Sequence, residues 1–251
     1  MTIDIIEKAR NRFDPELHTD EYKKIHSNDE QLDLLIKLFE ISDNERYFDL
    51  GTGNGYVGFE LAKRFKYISV IGVDIANNSI DKNNKIACES NIKNVSFVNY
   101  SGVMLPFDDQ FFMGGISRYA MHHFPRIRES IKELNRVLKL DGFFVFSDPK
   151  TYDIDTDNFI DKYQQLKPDG HVRFYRENEI DALFGEYGFA KEKYFSSYST
   201  YPRDLDSRYH DLLDSEKKEM HDKYKIKIEG DVIYITVECM NTFYRKKSHL
   251  T

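Results

Sequence analysis

The sequence predicts an α/β fold in which a mostly parallel sheet carries helices on both faces. Short apolar runs rich in Val, Ile and Phe alternate along the chain with stretches whose apolar residues recur at helical spacing. The first apolar run leads into a turn with three glycines at alternate positions, and the second run ends in an acid, Asp74. Strands that alternate with helices in this way are typical of parallel sheets.

The glycine-rich turn, Asp-Leu-Gly-Thr-Gly-Asn-Gly at residues 49–55, is the strongest signal in the chain. Because glycine has no Cβ, Gly51, Gly53 and Gly55 can take positive φ and let the backbone approach a ligand closely. We expect a helix to start near Gly55 and to direct its free N–H groups at that ligand. Asp74 would end the second strand at the same edge, where a carboxylate can accept hydrogen bonds from a ribose.

Two ligands fit this turn. Gly53, Gly55 and Gly58 satisfy the dinucleotide pattern G-x-G-x-x-G, which alone is a weak indication of a nicotinamide-dependent oxidoreductase. Asp49 argues for a different ligand, because an anion before the turn gains nothing beside a pyrophosphate but is favourable beside a cation. A turn that only connects a strand to a helix would leave the three alternating glycines without a role.

Four segments resemble the class I S-adenosylmethionine (SAM) methyltransferases of the ubiquinone/menaquinone-biosynthesis-like group (methyltransferase type 11). Residues 49–55 match its acid-x-G-x-G-x-G signature, and residues 102–107 match the loop that holds adenine. Residues 117–124, Ser-Arg-Tyr-Ala-Met-His-His-Phe, and residues 133–142 match two later blocks. The resemblance covers roughly residues 47–148, with Ser101 and Phe112 at positions where the family has Asp.

The resemblance implies a Rossmann-like sheet of seven strands, mostly parallel, with an antiparallel last strand beside the sixth. Residues 1–44 would form a helical lid, and residues 45–251 the SAM-binding methyltransferase domain. Two inserts are expected in that domain, at about 151–175 and 201–228, the second of them helical and just before the last strand. The sixth strand is predicted over residues 189–196, and a helix is predicted to start at Pro125.

The resemblance also implies which residues hold SAM. Gly102 and Val103 would bind the adenine ring edge through their backbone groups. The hydroxyl of Ser101, at the position of the family's Asp, is a weaker hydrogen-bond acceptor than a carboxylate. Ser117 and Arg118 would offer backbone carbonyls to the methionine end. The full predicted set is Asp49, Gly51, Thr52, Gly53, Asn54, Gly55, Asp74, Ile75, Gly102, Val103, Ser117 and Arg118.

The implied reaction is direct displacement at the methyl carbon, with S-adenosylhomocysteine as the product. Alignment of acceptor, carbon and sulfur can supply about 7–11 kcal/mol. If the acceptor is a hydroxyl or an acidic carbon, a base must take its proton. The candidates for this base, in order of preference, are His123, His122 and His171, followed by Tyr119. His171 could instead be a solvated histidine beside a surface ion pair of Arg173.

The composition argues for some classes of partner and against others. The net charge of −7 and a pI near 5.7 disfavour a nucleic-acid substrate, and no run is apolar for long enough to span a bilayer. Cys88 and Cys239 show no metal-ligand spacing, so we expect no metal and a reducing, cytoplasmic location. We expect a small-molecule substrate and a monomer or homodimer. An NAD(P)-dependent oxidoreductase and a SAM-binding protein that does not methylate remain alternatives.

Overall fold

The computed structural model describes residues 6–11 and 29–249. Residues 6–11 are helical and precede the elements that we label here. In chain order these are α1 (Asp29–Ile36), β1 (Arg46–Leu50), α2 (Tyr56–Arg64), β2 (Ser69–Asp74), α3 (Asn77–Glu89), β3 (Val95–Asn99), β4 (Phe112–Arg118), a 3₁₀ turn (Met121–His123), α4 (Ile127–Val137), β5 (Leu138–Pro149), α5 (Phe159–Gln165), α6 (Glu177–Glu186), β6 (Phe189–Asp204), α7 (Ser207–Asp214), α8 (Lys218–Lys223), β7 (Lys227–Glu229) and β8 (Val232–Lys246).

The described strands form one sheet in the order β3-β2-β1-β4-β5-β8-β6, with β7 paired to β8 outside this path. Strands β1 to β5 are parallel, and β8 runs antiparallel to both β5 and β6. The predicted mostly parallel sheet with an antiparallel last strand is therefore confirmed, and the short β7 adds an eighth strand. The strand order reverses between β1 and β4, and such a switch point opens a ligand crevice at the carboxyl ends of the strands.

The sixth strand and the insert after it differ from the prediction. β6 continues to Asp204, paired with β8 along its length, so the segment from Tyr201 that was predicted to be helical starts as strand. Pairing with β8 explains the extension, because the ladder between the two strands continues as far as Asp204 and Val232. The insert therefore begins after β6 and contains α7, α8 and β7. The helix predicted from Pro125 begins two residues later, at Ile127.

The core lies on both faces of the sheet, because neighbouring strand residues point to opposite sides. In β1, Phe48 packs with Phe144 on one face, whereas Tyr47 packs with Phe143 on the other. A third buried cluster joins α5, α7 and α8 to the start of β8. Because Pro149, the last residue of β5, pairs with Cys239, residues 232–238 of β8 extend past the carboxyl edge of the parallel strands.

Within the described ranges, no helix combines the length and apolar character needed to cross a membrane.

Candidate cofactor and active site

The glycine turn folds back against the end of β2. Gly51, Gly53 and Gly55 all have positive φ, at 73°, 53° and 79°, as the sequence predicts. The N–H of Gly51 donates to the carbonyl of Val73 at 2.8 Å, and the N–H of Gly53 donates to Oδ2 of Asp74 at 2.8 Å. The turn is thus held in one shape by the strand that carries the predicted ribose acceptor.

Asp49 supports the turn from behind. Its Oδ2 accepts hydrogen bonds from Oγ1 of Thr52 at 2.7 Å and from the N–H of Gly58 at 3.1 Å. The side chain is buried, and burial raises its pKa to about 6 although both hydrogen bonds oppose the change. The carboxylate therefore faces the turn itself, whereas a direct electrostatic role toward a ligand cation would require it to face the crevice.

A cavity lies at the switch point, beside the turn and the ends of β2 and β4. Five of the predicted cofactor residues and His123 are in its wall, together with apolar and aromatic side chains, so its polar groups are few. The described residues that line it are Ile6, Ala9, Gly51, Gly53, Asp74, Ile75, Tyr100, Gly102, Tyr119, Ala120, His123, Phe124 and Pro125.

The helical residues 6–11 cover this cavity. Ile6 and Ala9 line it, and Nε of Arg10 donates to the carbonyl of Ile75 at 3.1 Å. A Cβ added to Gly102 would lie 3.3 Å from Cδ1 of Ile6. The segment thus sits against the loop that was predicted to hold adenine. Residues 12–28 of the predicted lid lie outside the described part of the chain.

The remaining predicted cofactor residues stand behind the cavity wall. Oδ1 of Asn54 accepts from the N–H of Tyr56 at 3.2 Å, at the start of α2. The Ser117 side chain is buried at the end of β4, and Arg118 is buried with its guanidinium 4.7 Å from the ring centre of Tyr119. Asn54, Ser117 and Arg118 are not among the described residues that line the cavity.

The two departures from the family pattern have different surroundings. Ser101 is exposed, and Val103 beside Gly102 is only half-buried. Phe112 is fully buried in the core, with its ring centre 4.7 Å from that of Phe48. Phe112 therefore serves the fold, whereas Ser101 lies in the loop next to the cavity.

The three predicted histidines meet at the 3₁₀ turn after β4. The ring centres of His122 and His123 lie 4.1 Å apart, and that of His171 lies 5.4 Å from His122. Only His123 of the three is in the cavity wall as described above. Burial lowers the pKa of His122 and of His123 to about 3, so both rings are neutral near pH 7.

His122 is paired with Asp148, a residue that the sequence did not single out as part of the site. Its Nδ1 lies 2.6 Å from Oδ1 of Asp148, and its backbone N–H donates to Oδ2 at 2.9 Å. Burial raises the pKa of Asp148 to about 8, opposed by the hydrogen bond from the backbone of His122. Asp148 follows a buried strand at the carboxyl edge, as Asp74 does, and that position is the signal that could have identified it.

His171 holds the segment between α5 and α6. Its Nε2 lies 2.8 Å from Oδ1 of Asp161, and its side chain is buried. Arg173 points away from this cluster and pairs with Glu179 at 2.8 Å on the surface. Arg173 therefore forms a surface ion pair, as the sequence left open, but with Glu179 where an Asp was expected, and His171 is buried rather than solvated.

Two further residues at the site were missed. Nδ2 of Asn83 donates to the carbonyl of Gly53 at 2.9 Å, and Asn83 is fully buried on α3. A polar residue at helical spacing from Ile80 and Ala87, on the buried face of the helix, is the signal that could have revealed it. Tyr100, directly after β3, lines the cavity.

The shape and chemistry of this wall fit SAM. A Cβ on Gly51 or Gly55 would overlap neighbouring side chains, so the cradle exists only with glycine. Asp74 is in the cavity wall, where its carboxylate also accepts from the N–H of Gly53. An anion at this position favours a ribose or a sulfonium and disfavours a diphosphate.

Comparison with known proteins gives the family. Residues 41–185, more than half of the chain, match the family model described as a methyltransferase domain. An uncharacterised methyltransferase of Bacillus subtilis, YcgJ, is 32% identical over 170 residues, which cover 67% of this chain and 66% of YcgJ.

Solved structures show the same fold. The crystal structure of YcgJ has a TM-score of 0.75 at 26% identity and covers 88% of this chain and all of that one. A putative methyltransferase from Bacillus halodurans C-125 has a TM-score of 0.77 at 22% identity, covering 87% of this chain and 100% of that chain. Geranyl diphosphate C-methyltransferase from Streptomyces coelicolor was crystallised with S-adenosyl-L-homocysteine. It has a TM-score of 0.67 at 16% identity, and the match covers 94% of this chain and 97% of that chain. The chain therefore belongs to the class I SAM-dependent methyltransferases.

Proposed function

We propose that this protein transfers the methyl group of SAM to a small, largely apolar acceptor bound in the cavity beside the glycine turn. The observation that carries the proposal is the cavity wall, in which the turn, Asp74 and His123 meet among apolar side chains. Geranyl diphosphate C-methyltransferase, a structural neighbour, acts on a small molecule by its printed name, which is consistent with this acceptor class.

The turn and the loop after β3 would hold the cofactor. Asp74 would accept hydrogen bonds from the ribose, and the backbone of Gly51 and Gly53 would follow the sugar and the amino-acid tail. Ile75 and Gly102, which lie next to each other in the cavity wall, would contact the adenine. Thr52, Asn54 and Asp49 would act indirectly, because their hydrogen bonds hold the turn in place.

When bound, SAM supplies a methyl group on a positively charged sulfur, so the departing group is a neutral thioether. The chain then has to exclude water and align the acceptor with that methyl group. The apolar side chains of Ile6, Ala9 and Phe124 would do both, since they are part of the cavity wall.

His123 would contact the reacting group of the acceptor. Its ring is in the cavity wall and is neutral, so a ring nitrogen can accept a hydrogen bond or a proton. A pKa of about 3 makes the ring a weak base, and its main task would be to orient an acceptor that ionises readily. His122, Asp148 and His171 would hold it in place from behind.

The cytoplasmic location, the absence of a nucleic-acid partner and the monomer or homodimer state remain predictions from composition.

The proposal is tested by incubating the protein with SAM and a panel of phenols, carboxylic acids and amines, with S-adenosylhomocysteine measured by mass spectrometry. We expect S-adenosylhomocysteine to form in proportion to a methylated acceptor. Binding of SAM without turnover on any member of a broad panel would favour the alternative of a SAM-binding protein that does not methylate.

A further inference from the structure

Gln31, a buried residue of α1, joins three parts of the molecule at the rear of the cavity. Its Oε1 accepts hydrogen bonds from Nε and Nη2 of Arg118 at 3.1 and 2.8 Å and from the hydroxyl of Tyr119 at 2.6 Å. Its Nε2 donates to Oγ of Ser197 in β6 at 2.8 Å. A buried amide with this many contacts fixes the relative positions of the groups that it joins.

The backbone of Tyr119 has an unfavourable conformation that needs such support. Its φ is 55°, a left-handed conformation that costs free energy for a side chain with a Cβ and persists only where the surroundings hold it. Its N–H donates to the carbonyl of Ser147 at 2.8 Å, and both Tyr119 and the next residue, Ala120, line the cavity. The shape of this part of the wall therefore depends on the unusual backbone of Tyr119.

The direction of the hydrogen bonds shows that the hydroxyl of Tyr119 is fully engaged. The amide oxygen of Gln31 can only accept, so Tyr119 donates to it. Ser199, whose Oγ lies 2.8 Å from the same hydroxyl, then donates to Tyr119. Burial also raises the pKa of Tyr119, which keeps its proton on the ring oxygen. These bonds make Tyr119 a poor base and a well-held part of the wall.

We propose that Gln31 is a positioning residue for the cofactor cavity, acting through Tyr119. Its amide oxygen holds the Tyr119 hydroxyl, which keeps the backbone left-handed and sets Tyr119 and Ala120 against the glycine turn. The proposal rests on the proposed function, since the effect is read out through SAM. It assigns a role in cofactor binding to α1, a helix that precedes the first strand and whose Gln31 is not in the described cavity wall.

The test is the affinity for SAM, measured by calorimetry on the full chain, which requires no knowledge of the acceptor. Gln31→Leu keeps the volume and removes the amide, and Tyr119→Phe removes only the hydroxyl. Gln31→Glu keeps an oxygen that accepts from both Arg118 and Tyr119. Asp33→Asn, on the exposed side of the same helix, is the matched control.

We expect Gln31→Leu and Tyr119→Phe to weaken SAM binding on the order of 10-fold, because a small displacement of a binding wall is costly. Gln31→Glu and Asp33→Asn should stay within about 2-fold of the wild-type affinity. All titrations are run at the same margin below the melting temperature of each variant, so that loss of stability alone does not change the affinity.

Unchanged SAM affinity in both Gln31→Leu and Tyr119→Phe would overturn the inference while the proposed function stands. Equal weakening in Gln31→Glu and Gln31→Leu would also overturn it, because the acceptor oxygen would then be irrelevant. If Gln31→Leu does not fold, Tyr119→Phe decides alone. A wild-type protein that does not bind SAM would instead contradict the proposed function itself.

Discussion

A Cβ added to Gly51 would overlap the Cβ of Ala120, so the glycine turn after β1 lies in direct contact with the segment after β4. These two residues are far apart in the sequence and follow the neighbouring strands at which the sheet order reverses. The contact closes one side of the cavity, and it explains in steric terms why the first position of the turn is glycine.

Gly51→Ala should therefore abolish cofactor binding. The new methyl group would displace Ala120, and the φ of 73° adds a backbone cost of about 1–2 kcal/mol for a residue with a Cβ. We expect SAM affinity to fall by more than about 100-fold in calorimetry, equivalent to about 2.7 kcal/mol. Gly185→Ala, at an exposed helix position with no atom near the added Cβ, is the control and should bind SAM normally. Normal binding by Gly51→Ala would contradict the placement of the cofactor.

Asp74→Asn should weaken SAM binding on the order of 10-fold and lower the stability by about 1–3 kcal/mol, because one backbone N–H loses its acceptor. The carboxylate accepts from the N–H of Gly53 at 2.8 Å and from that of Ala76 at 3.0 Å, and an amide keeps only one of its two acceptor oxygens. The measurement is the SAM dissociation constant, with Asp81→Asn on the exposed face of α3 as the control. If both variants bind equally well, Asp74 does not contact the ribose.

The pKa of His123 predicts an acid-sensitive fold. Burial lowers this pKa to about 3, so between pH 6.5 and 3 the unfolded chain binds a proton that the folded chain does not. His123 therefore contributes stability that is present above pH 6.5 and is lost as the pH falls. Relative to the non-titrating variant His123→Gln, wild type should lose up to about 1.4 kcal/mol per pH unit over this range.

The check is denaturant unfolding of both proteins at several pH values from 7.5 to 4.5. The difference between the two curves reports His123 together with its charge coupling to Asp148 and Asp169, because groups far from His123 titrate equally in both proteins. A difference that stays constant with pH would show that the ring titrates normally and is not buried as described.

His171→Ala should destabilise the protein without a matching effect on SAM. It removes one of two partners of the Asp161 carboxylate and leaves only the N–H of Phe174, and loss of a buried hydrogen bond costs about 1–3 kcal/mol. Arg173→Ala breaks only a surface ion pair and should change stability by less than about 1 kcal/mol. Melting temperature and SAM affinity are measured together for both variants. A loss of SAM affinity larger than the loss of stability would place His171 at the cofactor.

Features set by short stretches of sequence were predictable. The positive φ values of the turn and of Asp141 at 60° follow from residue type, and the antiparallel last strand beside the sixth follows from the resemblance. The extension of β6 was missed because it depends on pairing with β8, which joins it along the length of both strands. Local propensity carries no information about such a partner.

The candidate site likewise contains residues that the sequence could predict and residues that it could not. Gly51, Gly53 and Asp74 were predictable, since each follows a strand that the sequence reveals. The pairing of His122 with Asp148 and the contacts of Gln31 were not, because they join residues that only the completed fold brings together. Asp49 shows the limit of reasoning from charge. The sequence predicts that its carboxylate lies beside a ligand cation, whereas its hydrogen bonds direct the carboxylate at the turn.

The central claim is that the cavity beside the glycine turn accepts the sulfonium cofactor and not a dinucleotide. It is tested most directly by titrating SAM and NAD⁺ separately into the wild-type protein by calorimetry, with Gly51→Ala as the binding-deficient reference. We predict saturable binding of SAM that Gly51→Ala loses, and no measurable heat from NAD⁺ beyond dilution. Saturable NAD⁺ binding together with no binding of SAM would contradict the claim.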